Sequence, residues 1–233
     1  TFLRTFAAGI ATTHTPTQVT MYGLDLTGAG LIRLEAFPHV GGVATRANRE
    51  QQVRLCEELQ AMIAEREQLF RAHHIESLAQ FRQAHEEGLM PDVVSPDVVL
   101  LVDGYGLTRT DFDYLADPLA DILTRGSSFG IHLVLALTRW SELTMRLQPL
   151  IGNRIELRLN DPTESTIQRK LAETIRTDQP GRALTDEGLF AQVALPTIEE
   201  VDDSQVGEAL TELAEQTAQS WNGPAATPIR LLP

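Results

Sequence analysis

Asp103 closes the run Asp97-Val98-Val99-Leu100-Leu101-Val102-Asp103. Five consecutive apolar residues bounded by acids are the pattern of a strand buried on both faces. An acid at the carboxyl end of such a strand is placed to hold a magnesium ion through water beside a nucleoside triphosphate. The same pattern arises where an aspartate does no more than cap the next helix. In an open parallel sheet, ligands bind beyond the carboxyl ends of the strands. The candidate positions are therefore the residues at or just past the expected strand ends: Asp25, Asp103, Thr138 and Pro196.

Phosphate would need a second feature. A Gly-x-x-x-x-Gly-Lys-Ser/Thr loop cradles phosphate with backbone amides at a helix N-terminus, and no such motif occurs in the sequence. The first residues, Thr1-Phe2-Leu3-Arg4-Thr5-Phe6-Ala7-Ala8, read as a helix already under way, with Thr1 and Thr5 bracketing Phe2-Leu3. The expectation is that a strand and a glycine-rich loop precede Thr1. Other chemistries are poorly served. The single cysteine, Cys56, supplies neither a disulfide framework nor a metal cluster and reads as a packing residue. His73 and His74 point about 100° apart on a helix, and His14, His39, His85 and His132 share no ligand spacing.

The elements that must position these residues alternate. Strand patterns fall at residues 19–26, 97–103, 131–137, 154–159 and 189–195. Helical patterns fall at 47–72, 75–87, 111–124, 164–173 and 203–220, and a short apolar segment at 31–37 runs into the turn signal Pro38-His39-Val40-Gly41-Gly42. Strands alternating with helices predict an α/β fold with a mainly parallel sheet covered on both faces. The 233 residues suffice for one large domain, expected over 1–220, with the Pro- and Ala-rich stretch 221–233 as a linker. A net charge of −13 opposes a general nucleic-acid surface. No apolar run reaches the roughly 20 residues that span a bilayer, so any membrane anchoring is expected from segments outside this sequence.

Taken together the segments resemble one family. VVLLVDG, a helix and then SSFGIHLVLALTRW are similar to the Walker B and sensor strands of FtsK/SpoIIIE ATPases. LDLTGAGLIRLEAFPHVGGVATRANRE, IGNRIELRLNDPTEST and QPGRALTDEGLFAQVALP resemble the EccC branch of that family, found in type VII secretion. The resemblance runs in order over nearly the whole chain, and the closing Arg-Leu-Leu-Pro is similar to the linker between the second and third EccC ATPase modules.

The resemblance implies a RecA-like P-loop NTPase fold whose first strand and P-loop lie outside this chain, with ATP and Mg2+ as cofactors. It assigns Asp103 as the Walker B aspartate that holds magnesium through water. It makes Thr138 the sensor-strand polar residue near the γ-phosphate, and puts Thr1 and Phe2 just past the P-loop. Gly181, within Pro180-Gly181-Arg182, and Pro196-Thr197 become loops beside the nucleotide base, where ordinary turns are the alternative. It offers Arg66 as an arginine finger acting on a neighbouring subunit, the alternative being an exposed helical arginine. Implied partners are neighbouring modules of the same chain, other secretion-complex subunits and small helical secreted proteins, in a homo-hexameric assembly on the cytoplasmic side of the membrane. One position departs from the pattern: the second acid that polarises the attacking water in active motors is replaced by Gly104. The expectation is a degenerate site that binds ATP and hydrolyses it slowly or not at all. Alternatives are a working ATPase drawing an acid such as Asp111 or Asp113 from elsewhere, an FtsK-type DNA translocase, and a docking module with no nucleotide.

Overall fold

The computed structural model describes residues 2–28, 30–199, 201–202 and 204–230. Its centre is a four-stranded parallel sheet in the order β2-β1-β3-β4, formed by β1 (Val19–Asp25), β2 (Val40–Thr45), β3 (Asp97–Asp103) and β4 (Ile131–Ala136). The parity of each strand decides which layer it feeds. Along β3, Val98, Leu100 and Val102 face a cluster with Leu55, Cys56, Leu59 and Ile63 of α2 (Arg49–Ala72) and Leu119 and Ile122 of α4 (Ala116–Arg125). The alternate residues Val99 and Leu101 face Leu3, Ala7, Ala8 and Ala11 of α1 (Phe2–Thr13) and Leu210, Leu213 and Ala214 of α6 (Val206–Ser220). A period of two on the strand thus divides one apolar run between two helical layers. Each fully buried leucine contributes about 1.5–3 kcal/mol to that sandwich.

Helix boundaries follow local chemistry. Asn48 caps α2 by accepting the Gln51 amide, and Ser77 caps α3 (Leu78–Glu86) by accepting that of Gln80. The α/β class and central parallel sheet expected from the alternation are present. Two strands escaped the sequence reading. β2 contains Gly41 and Gly42, which look like turn residues, but glycine within a strand also marks close backbone approach. A Cβ at Gly41 would overlap the Thr227 carbonyl and the Tyr22 ring. The segment responsible is 221–230, which runs along β2. The Ala226 amide donates to Pro38 O, the Ile229 amide to Gly41 O, and Tyr22 Oη to Thr227 O at 2.8 Å.

The carboxy-terminal strand patterns do not extend the parallel sheet. β5 (Ile155–Leu157), β6 (Arg182–Thr185) and β7 (Phe190–Gln192) form a separate antiparallel sheet in that order. Four residues join β6 to β7, too few for the crossover that parallel strands need. The helical pattern expected over 164–173 shrinks to a 3-10 turn at Pro162–Glu164 and the short α5 (Arg169–Ala172). No helix among the described residues is long and apolar enough to cross a membrane.

Candidate functional site

Three strands end level with one another. Asp25 pairs in register with Asp103, and Asp103 with Ala136, so the carboxyl ends of β1, β3 and β4 form one continuous edge, with Thr138 two residues beyond. Asp25 is buried at 2% exposure. Its carboxylate is used by the chain itself, accepting the amides of Gly28 at 2.7 Å and of Gly30 and Leu31 at 3.1 Å. Asp25 therefore shapes the turn after β1 around its own charge. That turn carries Thr27, whose hydroxyl donates to Asp103 Oδ2 at 2.6 Å.

Gly104 follows in a left-handed conformation, φ 80° and ψ 40°. A Cβ there would lie 2.5 Å from Thr27 Cγ2. Position 104 is closed to a side chain both by backbone conformation and by the residue that binds Asp103. Two residues on, a Cβ at Gly106 would overlap the carboxylate of Glu142. Glu142, in a 3-10 turn at Trp140–Glu142 after β4, accepts the Thr138 amide through Oε2 at 3.0 Å. Thr27 and Glu142 were not singled out from the sequence. The available signal was their place a few residues past a strand end, as polar residues in otherwise ordinary turns.

The remaining expected residues gather around the start of α1. His39, just ahead of β2, donates from Nε2 to the carbonyl of His14, just past the end of α1. The end of α1 therefore lies at the amino edge of the sheet. Twelve residues at 1.5 Å each carry its start back about 18 Å toward the edge where Asp103 sits. Phe2 is thereby brought to the side of the sheet that holds Asp103 and Thr138. Thr1 lies outside the described residues. Thr5 donates from Oγ1 to Ala194 O at 2.8 Å, tying α1 to the stretch leading to Pro196 and Thr197. Gly181, φ 77°, accepts the Val193 amide at 2.8 Å, which joins its loop to the same stretch. Asp111 and Asp113 are exposed around the 3-10 turn ahead of α4.

Arg66 requires a correction. It is neither a finger reaching outward nor an exposed helical arginine. At 5% exposure it donates to Pro96 O at 2.7 Å, Phe129 O at 2.6 Å and Ser95 O at 2.7 Å. Those carbonyls precede β3 and β4, at the sheet edge opposite Asp103. Burial lowers the guanidinium to about 10, still charged at neutral pH. Its fork bridges loops that would otherwise bury unpaired carbonyls.

The fit to magnesium nucleotide is partial. Among the described residues no group of three or more metal-ligating side chains exists, so a cation held here would rest on Asp103 and keep most of its water, which suits Mg2+. Lys170, the one lysine of the sequence, lies exposed on α5. Asp103 and Thr138 thus share one strand-end edge, and the sequence contains no Gly-x-x-x-x-Gly-Lys-Ser/Thr loop.

Comparison with known proteins places this geometry. The FtsK/SpoIIIE family model matches residues 1–200. The ESX secretion system protein EccC of Thermomonospora curvata is 38% identical over 237 residues, covering all of this chain and 18% of that protein. The ESX-4 secretion system protein EccC4 of Mycobacterium tuberculosis is 36% identical, covering all of this chain and again 18% of its relative. The chain thus spans less than a fifth of the length of these two relatives. The solved structure of ATPases 2 and 3 of Thermomonospora curvata EccC, in complex with a signal sequence peptide, matches 99% of this chain and 42% of its own, with a TM-score of 0.94 at 37% identity. A match over 200 of 233 residues, on a parallel sheet whose strand ends carry the expected acid, makes this chain a member of the FtsK/SpoIIIE family.

Proposed function

We propose that this chain is an ATP-binding module of a type VII secretion motor, with a site that binds magnesium nucleotide and turns it over slowly or not at all. The observation that carries the reading is Gly104: it has no side chain to orient water, and its surroundings leave no room for one. Asp103 retains the means to bind, since its carboxylate stands at the strand end, where Thr27 donates to its Oδ2. Thr1, Phe2, Thr138, Gly181, Pro196 and Thr197 complete the site in this reading. The likeness to EccC ATPases 2 and 3, together with the closing Arg-Leu-Leu-Pro, favours a second-module position in a tandem chain. Its partners are then neighbouring modules, other secretion subunits and small helical secreted proteins, in a hexameric assembly at the cytoplasmic face of the membrane. The signal sequence peptide in the relative's structure supports peptide recognition somewhere in such a tandem.

The test is magnesium ATP binding and turnover measured side by side on the protein including whatever precedes Thr1 in its gene. Binding with negligible turnover is expected, weakened about tenfold or more in Asp103→Ala, since a lost charge-assisted contact is worth roughly 1.5–3 kcal/mol. Turnover that disappears in Asp103→Ala would make the chain a working motor module and sink the degenerate-site reading.

A further inference from the structure

We propose that Glu142 is a positioning residue that fixes Thr138 against the loop of Asp103. The proposal rests on the reading of Asp103 and Thr138 as parts of one nucleotide site. β3 and β4 are held in register only as far as the Asp103–Ala136 pair. Beyond it the two chains leave the ladder, one into Gly104-Tyr105-Gly106 and the other into Leu137-Thr138-Arg139. Nothing in the sheet then sets their separation. Glu142 spans the gap with one carboxylate. Oε2 accepts the Thr138 amide at 3.0 Å, and the same group lies flat against Gly106, filling the space a Cβ would occupy. Arg109 adds a second tie between the same loops, donating from Nη1 to Ser141 O at 3.0 Å. Glycine at 106 is therefore the complement of glutamate at 142: a methyl group there would push the carboxylate off the loop. The blocking atoms are the far end of a flexible side chain, so that displacement is a local one.

This makes Gly106→Ala a second, independent way to open the clasp with Glu142 still present. Glu142→Ala opens it by removing the carboxylate, and Glu142→Gln keeps it closed, because an amide oxygen accepts the same N–H. The experiment is hydrogen exchange of the Thr138 amide by NMR, with magnesium ATP affinity on the same proteins, including whatever precedes Thr1. Exchange is expected to quicken about tenfold in Glu142→Ala and in Gly106→Ala, and to stay within about twofold in Glu142→Gln. Affinity should fall in the first two and hold in the third. Unchanged Thr138 exchange in both opening variants overturns the proposal, as does wild-type affinity in those variants. A wild-type protein that binds no nucleotide would defeat the functional reading instead, and the exchange result would still decide the clasp.

Discussion

At position 104 two constraints act on one residue. The φ of 80° costs any L side chain about 1–2 kcal/mol, and Thr27 Cγ2 stands where a Cβ would go. Thr27 in turn binds Asp103, so relieving the clash by moving Thr27 disturbs its hydrogen bond to that carboxylate. Restoring the missing acid by Gly104→Glu should therefore yield no gain in ATP turnover. It should lower stability by roughly 1–3 kcal/mol, read as an earlier denaturant midpoint. A rise in turnover in that single variant would show that the turn after β3 relaxes freely. The sequence exposes the substitution at 104, because one letter suffices. It hides the reason, because Thr27 lies 77 positions away.

At the scale of elements, α3 is fastened to the amino end of β3 by a side-chain cluster that the sequence reading did not find. Arg82 grips Asp97 with two bonds, Nε to Oδ2 at 2.7 Å and Nη2 to Oδ1 at 2.8 Å, and His132 Nε2 lies 2.9 Å from Oδ1. Burial alone would raise the Asp97 carboxyl, but the Arg82 and His132 hydrogen bonds outweigh it and hold the group well below its ordinary value. A carboxylate depressed in the folded state contributes stability that is complete above its unfolded value, 3.8, and is lost as pH falls toward the folded value. Wild-type stability should thus decline more steeply below about pH 4 than that of Asp97→Asn. At neutral pH the variant should be less stable by about 1–3 kcal/mol. Urea unfolding at neutral pH and near pH 3 reads both effects, and parallel pH profiles would remove Asp97 from the account. Asp97 was legible as the first residue of a strand; its ion pair required α3 to fold back over that strand.

For the whole molecule, the segment 221–230 belongs physically to the domain. Ile229 is 9% exposed, and Tyr22 reaches across β2 to Thr227. The phenol of Tyr22 is pushed up to about 12, first by burial and then by the nearby charge of Glu58. Ending the chain at Ser220 should cost about 1.5–3 kcal/mol, the burial of one aliphatic side chain, and lower the thermal midpoint. It should also return Tyr22 toward 10, readable by ultraviolet titration. An unchanged tyrosine titration would show that the strand, and not the tail, buries the ring.

The sequence by itself determined the parallel core. Its apolar runs have the length and composition of doubly buried strands, and β3 was legible residue for residue because only a strand covered on both faces is apolar at every position. It also determined the acid at the strand end and the glycine that follows it. The tertiary structure decided everything that depended on distant partners: Arg66 as a buried brace, Gly41 and Gly42 as strand residues beneath the tail, and β5–β7 as a separate antiparallel sheet. It also decided the contacts that Thr27 and Glu142 make around Asp103 and Thr138. Local patterning encodes which face of an element is buried, whereas the identity of what lies against that face arises only when segments far apart in the chain are folded together.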